Sequence, residues 1–134
     1  PIFIEEGRLY VKKRNAPDFP VEAPSLPTRE RIERLIETRI GLIDRFGKHY
    51  DNMSRLAAQF PAASEAIGVR DEVLGRQFDE WLTRERAKID NGTWELMKVL
   101  LSYHVIHQMI STIGDGAKET LLSTAMGLLG YDFD

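Results

Sequence analysis

The chain has no cysteine among its 134 residues. That absence excludes a disulfide scaffold, a thiolate metal site and thiol catalysis, and it fits a reducing cytoplasm as the expected location. Charge of one sign is also in short supply, since 18 basic and 21 acidic residues leave a formal net charge of −3. A domain that grips nucleic acid over its whole surface is normally more basic than this. Several chemical signatures are missing too. There is no GxSxG, and neither Ser102 nor Ser111 stands on a glycine-rich turn that would present it to a histidine. No glycine-rich phosphate cradle of the P-loop or dinucleotide type occurs. The GDG at 114–116 has only Lys118 as a basic residue after it, which suits a helix break better than a phosphate site. HExxH is absent. Neither His104 nor His107 completes an ExxH, because Leu101 stands three before the first and His104 itself three before the second. Enzymatic activity is therefore unsupported without being excluded, and no catalytic residue or cofactor is implied.

A lipid-compatible hydrophobic run is lacking as well. Trp94 to Ile113 is long enough to span a bilayer, but Glu95, Lys98, His104, His107 and Gln108 interrupt it, and each is costly in lipid. A buried helix is expected there, and no membrane partner. The opening PIFIEEGRLY is acidic early and has no basic stretch leading into an apolar core, so it does not read as a signal peptide.

What is present is the composition of an ordinary globular domain, 43% hydrophobic and 29% charged. The length suits one domain. Three zones differ in character. Residues 1–14 alternate β-branched and aromatic side chains around Glu6-Gly7, a pattern that predicts a β-hairpin with Phe3 opposite Tyr10 and Glu5 opposite Arg8. Such a hairpin is marginal alone and has to dock on something. Residues 15–27 carry Pro17, Pro20, Pro24 and Pro27, which block helix and ladder alike and favour a semi-rigid extended arm. Phe19, Val21 and Leu26 give that arm apolar anchors. Residues 28–134 read as helical. Thr28 is the expected N-cap of a long helix whose apolar residues, Ile32, Ile36, Ile43, Phe46, Tyr50, Met53, Ala57 and Phe60, alternate at spacings of four and three up to Pro61. Bends are expected near Gly41 or Gly47. A second helix is predicted from about Val69 to Asp90, a third from a Thr93 cap to Gly114, and a fourth from about Ala117 to Leu129. The expected fold is mainly α: an antiparallel bundle of about four helices, preceded by the hairpin and the arm, in one domain overall.

The anomalies are charges on apolar faces. Arg39 fills the gap in the first helix's seam, and Glu85 sits amid Leu74, Phe78, Trp81 and Ile89. A buried charge needs a partner, so an Arg39–Glu85 ion pair between helices is expected, with ligand or partner binding by one of them as the alternative. His104 and His107 share a helix face with Leu100, Gln108 and Ser111. With Glu85 they form a candidate two-histidine, one-carboxylate metal set, set against the plainer reading of a helix contact or subunit interface. Lys12, Lys13 and Arg14 are candidate phosphate contacts. Arg29, Arg31 and Arg34 interleave with acids at i,i+4 spacing and read as a solvated face.

Together these features favour a non-enzymatic structural or interaction protein, a self-associating bundle whose N-terminal arm grips a neighbouring subunit or partner protein. Its candidate interface residues are Phe3, Tyr10, Phe19, Val21, Leu26, Leu100, His104 and His107. A ligand- or metal-binding bundle using His104, His107 and Glu85 is the alternative, and a DNA-binding regulator a further one.

Overall fold

Apolar side chains recurring three and four apart force the first helix to bury one long stripe. In the computed structural model, which describes residues 26–130, that stripe runs through Ile32, Leu35, Ile36, Leu42, Ile43 and Tyr50. The helix, α1, spans Thr28–Leu56 without interruption at Gly41 or Gly47. The predicted hairpin over 1–14 and the arm up to residue 25 lie outside the described residues.

α1 begins directly after Pro27, which occupies the N-cap position and makes no side-chain capping bond. Thr28 therefore does not cap. Its hydroxyl donates to Glu85 Oε2 at 2.5 Å instead, because a buried carboxylate is the stronger acceptor. The second helix, α2, spans Pro61–Trp81 and starts about two turns earlier than the sequence pattern predicts. Proline ends a helix only from its interior. In the first turn its missing N–H has no partner to lose, and its fixed φ is already helical.

α2 also stops before the expected Asp90. Leu82 breaks it (φ −112°, ψ 24°), and a single-turn helix, α3, follows over Thr83–Arg86. Two bonds explain the break. Thr83 Oγ1 donates back to Asp79 O at 2.7 Å, a bond that competes with the helical ladder. Arg31 Nη1 donates to Trp81 O at 2.5 Å, so a terminal carbonyl of α2 is satisfied without a further helical turn.

The predicted third helix divides in two: α4 over Asn91–Leu100 and α5 over Tyr103–Ile113. Asp90, not Thr93, caps α4, its carboxylate accepting from Thr93 N at 2.7 Å. At the break, Ser102 N-caps α5 by accepting from Val105 N at 3.4 Å, while its own hydroxyl donates to Val99 O at 2.7 Å. One serine thus serves both helix ends. A 3-10 turn over Gly114–Gly116, opened by Gly114 at φ 76°, leads into the last helix, α6, over Ala117–Leu129. Its buried face of Leu121, Leu122, Ala125 and Leu129 follows the sequence periodicity.

Among the described residues the architecture is all-α, with five helices of ten or more residues packed together. α1 lies at the centre, against α2, α5 and α6, and α4 packs on α6. Trp94, Met97 and Leu101 carry the inward face of α4 into the same core, where the Trp94 ring meets Phe78 at a tilt of 54°, 4.7 Å between centroids. Among the described residues no helix is long and apolar enough to cross a membrane.

A buried ion pair joins the start of α1 to α3. Arg31 and Glu85 are each 1% exposed, and the guanidinium donates to both carboxylate oxygens. Burial pushes the Glu85 carboxyl up, but the hydrogen bonds from Arg31 and Thr28 and the Arg31 charge outweigh it and hold the group below its ordinary value of 4.5. A carboxyl depressed in the fold contributes stability above its unfolded pKa and loses it as the pH falls through the folded value. Denaturant unfolding of Glu85→Gln, which leaves Arg31 buried without its counter-charge, should show a loss of about 3 kcal/mol at neutral pH. It should also show a smaller decline below about pH 4.5 than the wild type. Equal acid sensitivity in both proteins would count against the pair. Gly41 offers a control in the opposite direction. An added Cβ there meets nothing within 4 Å, so Gly41→Ala should stabilise by up to about 1 kcal/mol, read as a higher denaturation midpoint.

Candidate binding site at the α4–α5 break

Two arginines on one face of α1, eight residues apart, leave water together, and their partners differ. Arg31 has Glu85. Arg39, also 1% exposed, makes no ion pair among the described residues. Its Nε donates to Leu101 O at 3.0 Å, Nη2 to Leu74 O at 2.9 Å, and Nη1 to Gln77 Oε1 at 2.5 Å and Leu35 O at 3.5 Å. Neutral oxygens solvate the guanidinium without neutralising it. Desolvation accordingly pushes Arg39 down to about 9, and the group remains charged at neutral pH.

Arg39 forms part of the wall of a cavity of about 340 Å³ between α2 and the α4–α5 break. Leu74, Gly75 and Phe78 line it from α2, and Leu101, Ser102, Tyr103 and His104 from the break. Asp71 and Lys98 complete the rim, and each is already paired: Asp71 with Arg70 at 2.9 Å, Lys98 with Asp79 at 2.9 Å.

A second cluster lies behind Tyr103. The Arg70 guanidinium stands 3.8 Å from the centroid of the Tyr103 ring and 4.7 Å from that of Tyr50, and the two rings meet edge-on at 5.5 Å. A cation lying over two aromatic faces is held by their quadrupoles as well as by Asp71. His107 stacks on Tyr103 at 5.9 Å and approaches Asp51 at 3.7 Å. It packs over Gly47, where an added Cβ would stand 3.9 Å from its Nε2.

The predicted site residues are distributed differently from expectation. The Arg39–Glu85 ion pair does not form, because Arg31 lies nearer the start of α1, where α3 delivers Glu85, and takes the carboxylate. Arg31 is correspondingly not part of a solvated face. Among its expected neighbours, Arg34 does reach Glu30 at 3.9 Å on the surface. The set of His104, His107 and Glu85 is not assembled as a metal centre. Glu85 is committed to Arg31 and Thr28, His104 is exposed, and His107 faces Asp51. Among the described residues no group of three or more histidine, aspartate or glutamate side chains is placed to hold a metal ion. Leu100 is half-buried, packed on the core's edge. Lys12, Lys13, Arg14, Phe3, Tyr10, Phe19 and Val21 lie outside the described residues.

Sequence reasoning missed Arg31, Arg70, Gln77 and Tyr103. A signal existed for the first: Arg31, Leu35 and Arg39 fall four apart, so a buried Arg39 brings Arg31 onto the same strip. Arg70 and Gln77 carry no such mark, since an arginine or glutamine on a mixed helix reads as surface.

The Tyr103 hydroxyl is buried beside Arg70 yet has no hydrogen-bonding partner in good geometry. Burial pushes this phenol up to about 12, against the opposing pull of Arg70 and with added repulsion from Asp51 and Tyr50. Tyr50 is likewise raised by burial. The fold should therefore lose stability as pH rises above about 10, where the unfolded chain ionises its tyrosines and the native state does not. Tyr103→Phe should stabilise by about 1 kcal/mol at neutral pH, since it removes an unsatisfied buried hydroxyl and keeps the ring over Arg70. It should also soften the alkaline decline. A loss of more than about 1 kcal/mol on that substitution would show that the hydroxyl is bonded after all. No family model, curated protein or solved structure matches this chain, so the chemistry of the site stands on its own geometry.

Proposed function

We propose that the protein is a non-enzymatic interaction module, a helical bundle that self-associates and whose N-terminal arm contacts the neighbouring subunit. The observation that carries this reading is an uncovered apolar strip on α4. Leu96 and Val99 are 52% and 57% exposed, and half-buried Leu100 lies one turn from Leu96 on the same side. Large aliphatic side chains grouped at helical spacing on a surface favour contact with another protein over water.

Three side chains do not make an interface. A stable dimer buries about 800 Å² per partner, and the remainder has to come from elsewhere in the chain. The arm suits that role. Its first described residue is anchored at the α1–α3 corner, where Leu26 O accepts from Arg31 Nε at 3.0 Å and from Arg84 Nη2 at 3.1 Å. The sequence before Leu26 carries Phe3, Tyr10, Phe19 and Val21 as apolar anchors.

Size-exclusion chromatography with light scattering tests it. The full chain should elute as a dimer or larger. Leu96→Glu with Val99→Glu, and separately removal of residues 1–25, should each shift it toward monomer without loss of helical circular dichroism. A full chain that is monomeric at every concentration measured would sink the proposal.

A further inference from the structure

The α4–α5 break does more than turn the chain. It places the N-terminus of α5 on the wall of the cavity that Arg39 lines. The first backbone N–H groups of a helix have no acceptor within it, and here they belong to Tyr103 and His104. The positive end of the helix dipole adds to them. Arg39 contributes a full charge, and one N–H of its Nη2 has no acceptor among the described residues, the other being used by Leu74 O. The acid and the amine of the rim, Asp71 and Lys98, cancel against Arg70 and Asp79. The lining thus carries one net positive charge that no group among the described residues answers.

Beside the side chains of Ser102, Tyr103 and His104, the rest of the lining is apolar. Leu74, Phe78 and Leu101 supply hydrocarbon, and Gly75 leaves open a space on α2 that a side chain would fill. A Cβ at Gly75 meets only Lys98 Cε, at 4.0 Å. At about 340 Å³ the cavity falls at the small end of ligand pockets. One uncompensated charge in a small, largely hydrocarbon space favours a monoanion with a short apolar body. A phosphate dianion would bring twice the charge that Arg39 can neutralise and no hydrocarbon for Leu74 and Phe78.

We propose that this cavity binds small monocarboxylates, with the carboxylate between Arg39 and the first N–H groups of α5 and the apolar body against Leu74, Phe78 and Leu101. The assignment does not rest on the self-association surface on α4 and stands or falls separately from it. Its role for Arg39 is specific: the guanidinium is retained, and not replaced by an aliphatic residue that would complete the seam, because it answers the charge of the ligand.

Benzoate, its neutral isostere benzamide and inorganic phosphate discriminate the possibilities in calorimetric titrations of the full chain, with amide chemical shifts as a second readout. Benzoate is expected to bind with a Kd on the order of 1 mM or tighter, to move the Tyr103 and His104 amide resonances, and to outbind both benzamide and phosphate at least tenfold. Gly75→Leu, which fills the cavity and leaves Arg39 in place, should weaken benzoate tenfold or more while circular dichroism stays helical. Arg39→Met should do the same where it folds, but the benzamide comparison needs no variant. Absence of benzoate binding, equal binding of benzamide, tighter binding of phosphate, or unchanged affinity in a folded Gly75→Leu protein would each overturn the assignment.

Discussion

Two guanidinium groups cannot leave water unless oxygens are brought to them, and much of this bundle is arranged around that demand. Arg31 and Arg39 lie on the same strip of α1, where a continuous aliphatic seam would have packed with no such requirement. Each takes main-chain carbonyls near a helix break. Arg31 takes Trp81 O at the end of α2, and Arg39 takes Leu101 O between α4 and α5. A carbonyl at a helix terminus has no N–H waiting for it, so it is the cheapest backbone acceptor that a neighbouring helix can offer. The coincidence of both breaks with an arginine bond makes the breaks part of the charge solution. α2 and the α4–α5 segment would otherwise run on as the apolar pattern suggests.

The two sites then part company. Arg31 acquires a carboxylate, with Thr28 completing the shell around it, and the result is a closed ion pair that fixes how α3 sits on α1. Such a pair adds little net stability over a hydrophobic replacement, yet it is costly to break from one side. Arg39 acquires carbonyls and an amide only. Its charge is solvated by dipoles and remains open to compensation, and it borders a cavity in place of packed protein. The first arginine reads as architecture. The second has the form of a group kept for something that arrives from outside.

The sequence made legible whatever depended on local periodicity. The α1 stripe as far as Tyr50, the inward face of α6 and the glycine break after Ile113 all follow from side-chain spacing and turn chemistry, whereas Asn91-Gly92, which reads as a helix stop, opens α4. It was also legible that Arg39 and Glu85 are buried charges needing partners. Which partners was not, because that depends on where the α2–α3 break delivers Glu85 along α1, a tertiary outcome with no local signature. The same limit applies to the surroundings of the histidines. LLSYHVIHQMIS looks like the middle of one helix because its hydrophobicity is continuous. Ser102, an excellent cap, is hidden within a run that gives no other sign of ending. Once the helix breaks there, His104 turns to the cavity's rim and His107 to the Tyr103 ring, and their three-residue spacing loses its meaning as a ligand pair.

That break also decides how the two proposed surfaces relate. α4 is only ten residues long, so its outward side, with Leu96 and Val99, and its end, with Leu101 and Ser102 at the cavity, belong to one short rigid piece. A monocarboxylate seated against Leu101 and the α5 N-terminus would bear on the same carbonyl that Arg39 holds. Any change in how tightly Arg39 grips Leu101 O is felt first in the position of α4, since Ser102 couples the end of that helix to the start of the next through its bonds to Val99 O and Val105 N. Coupling between occupancy and self-association requires the ligand to prefer one position of α4 over another. Ser102 and Arg39 are the residues through which such a preference would have to pass.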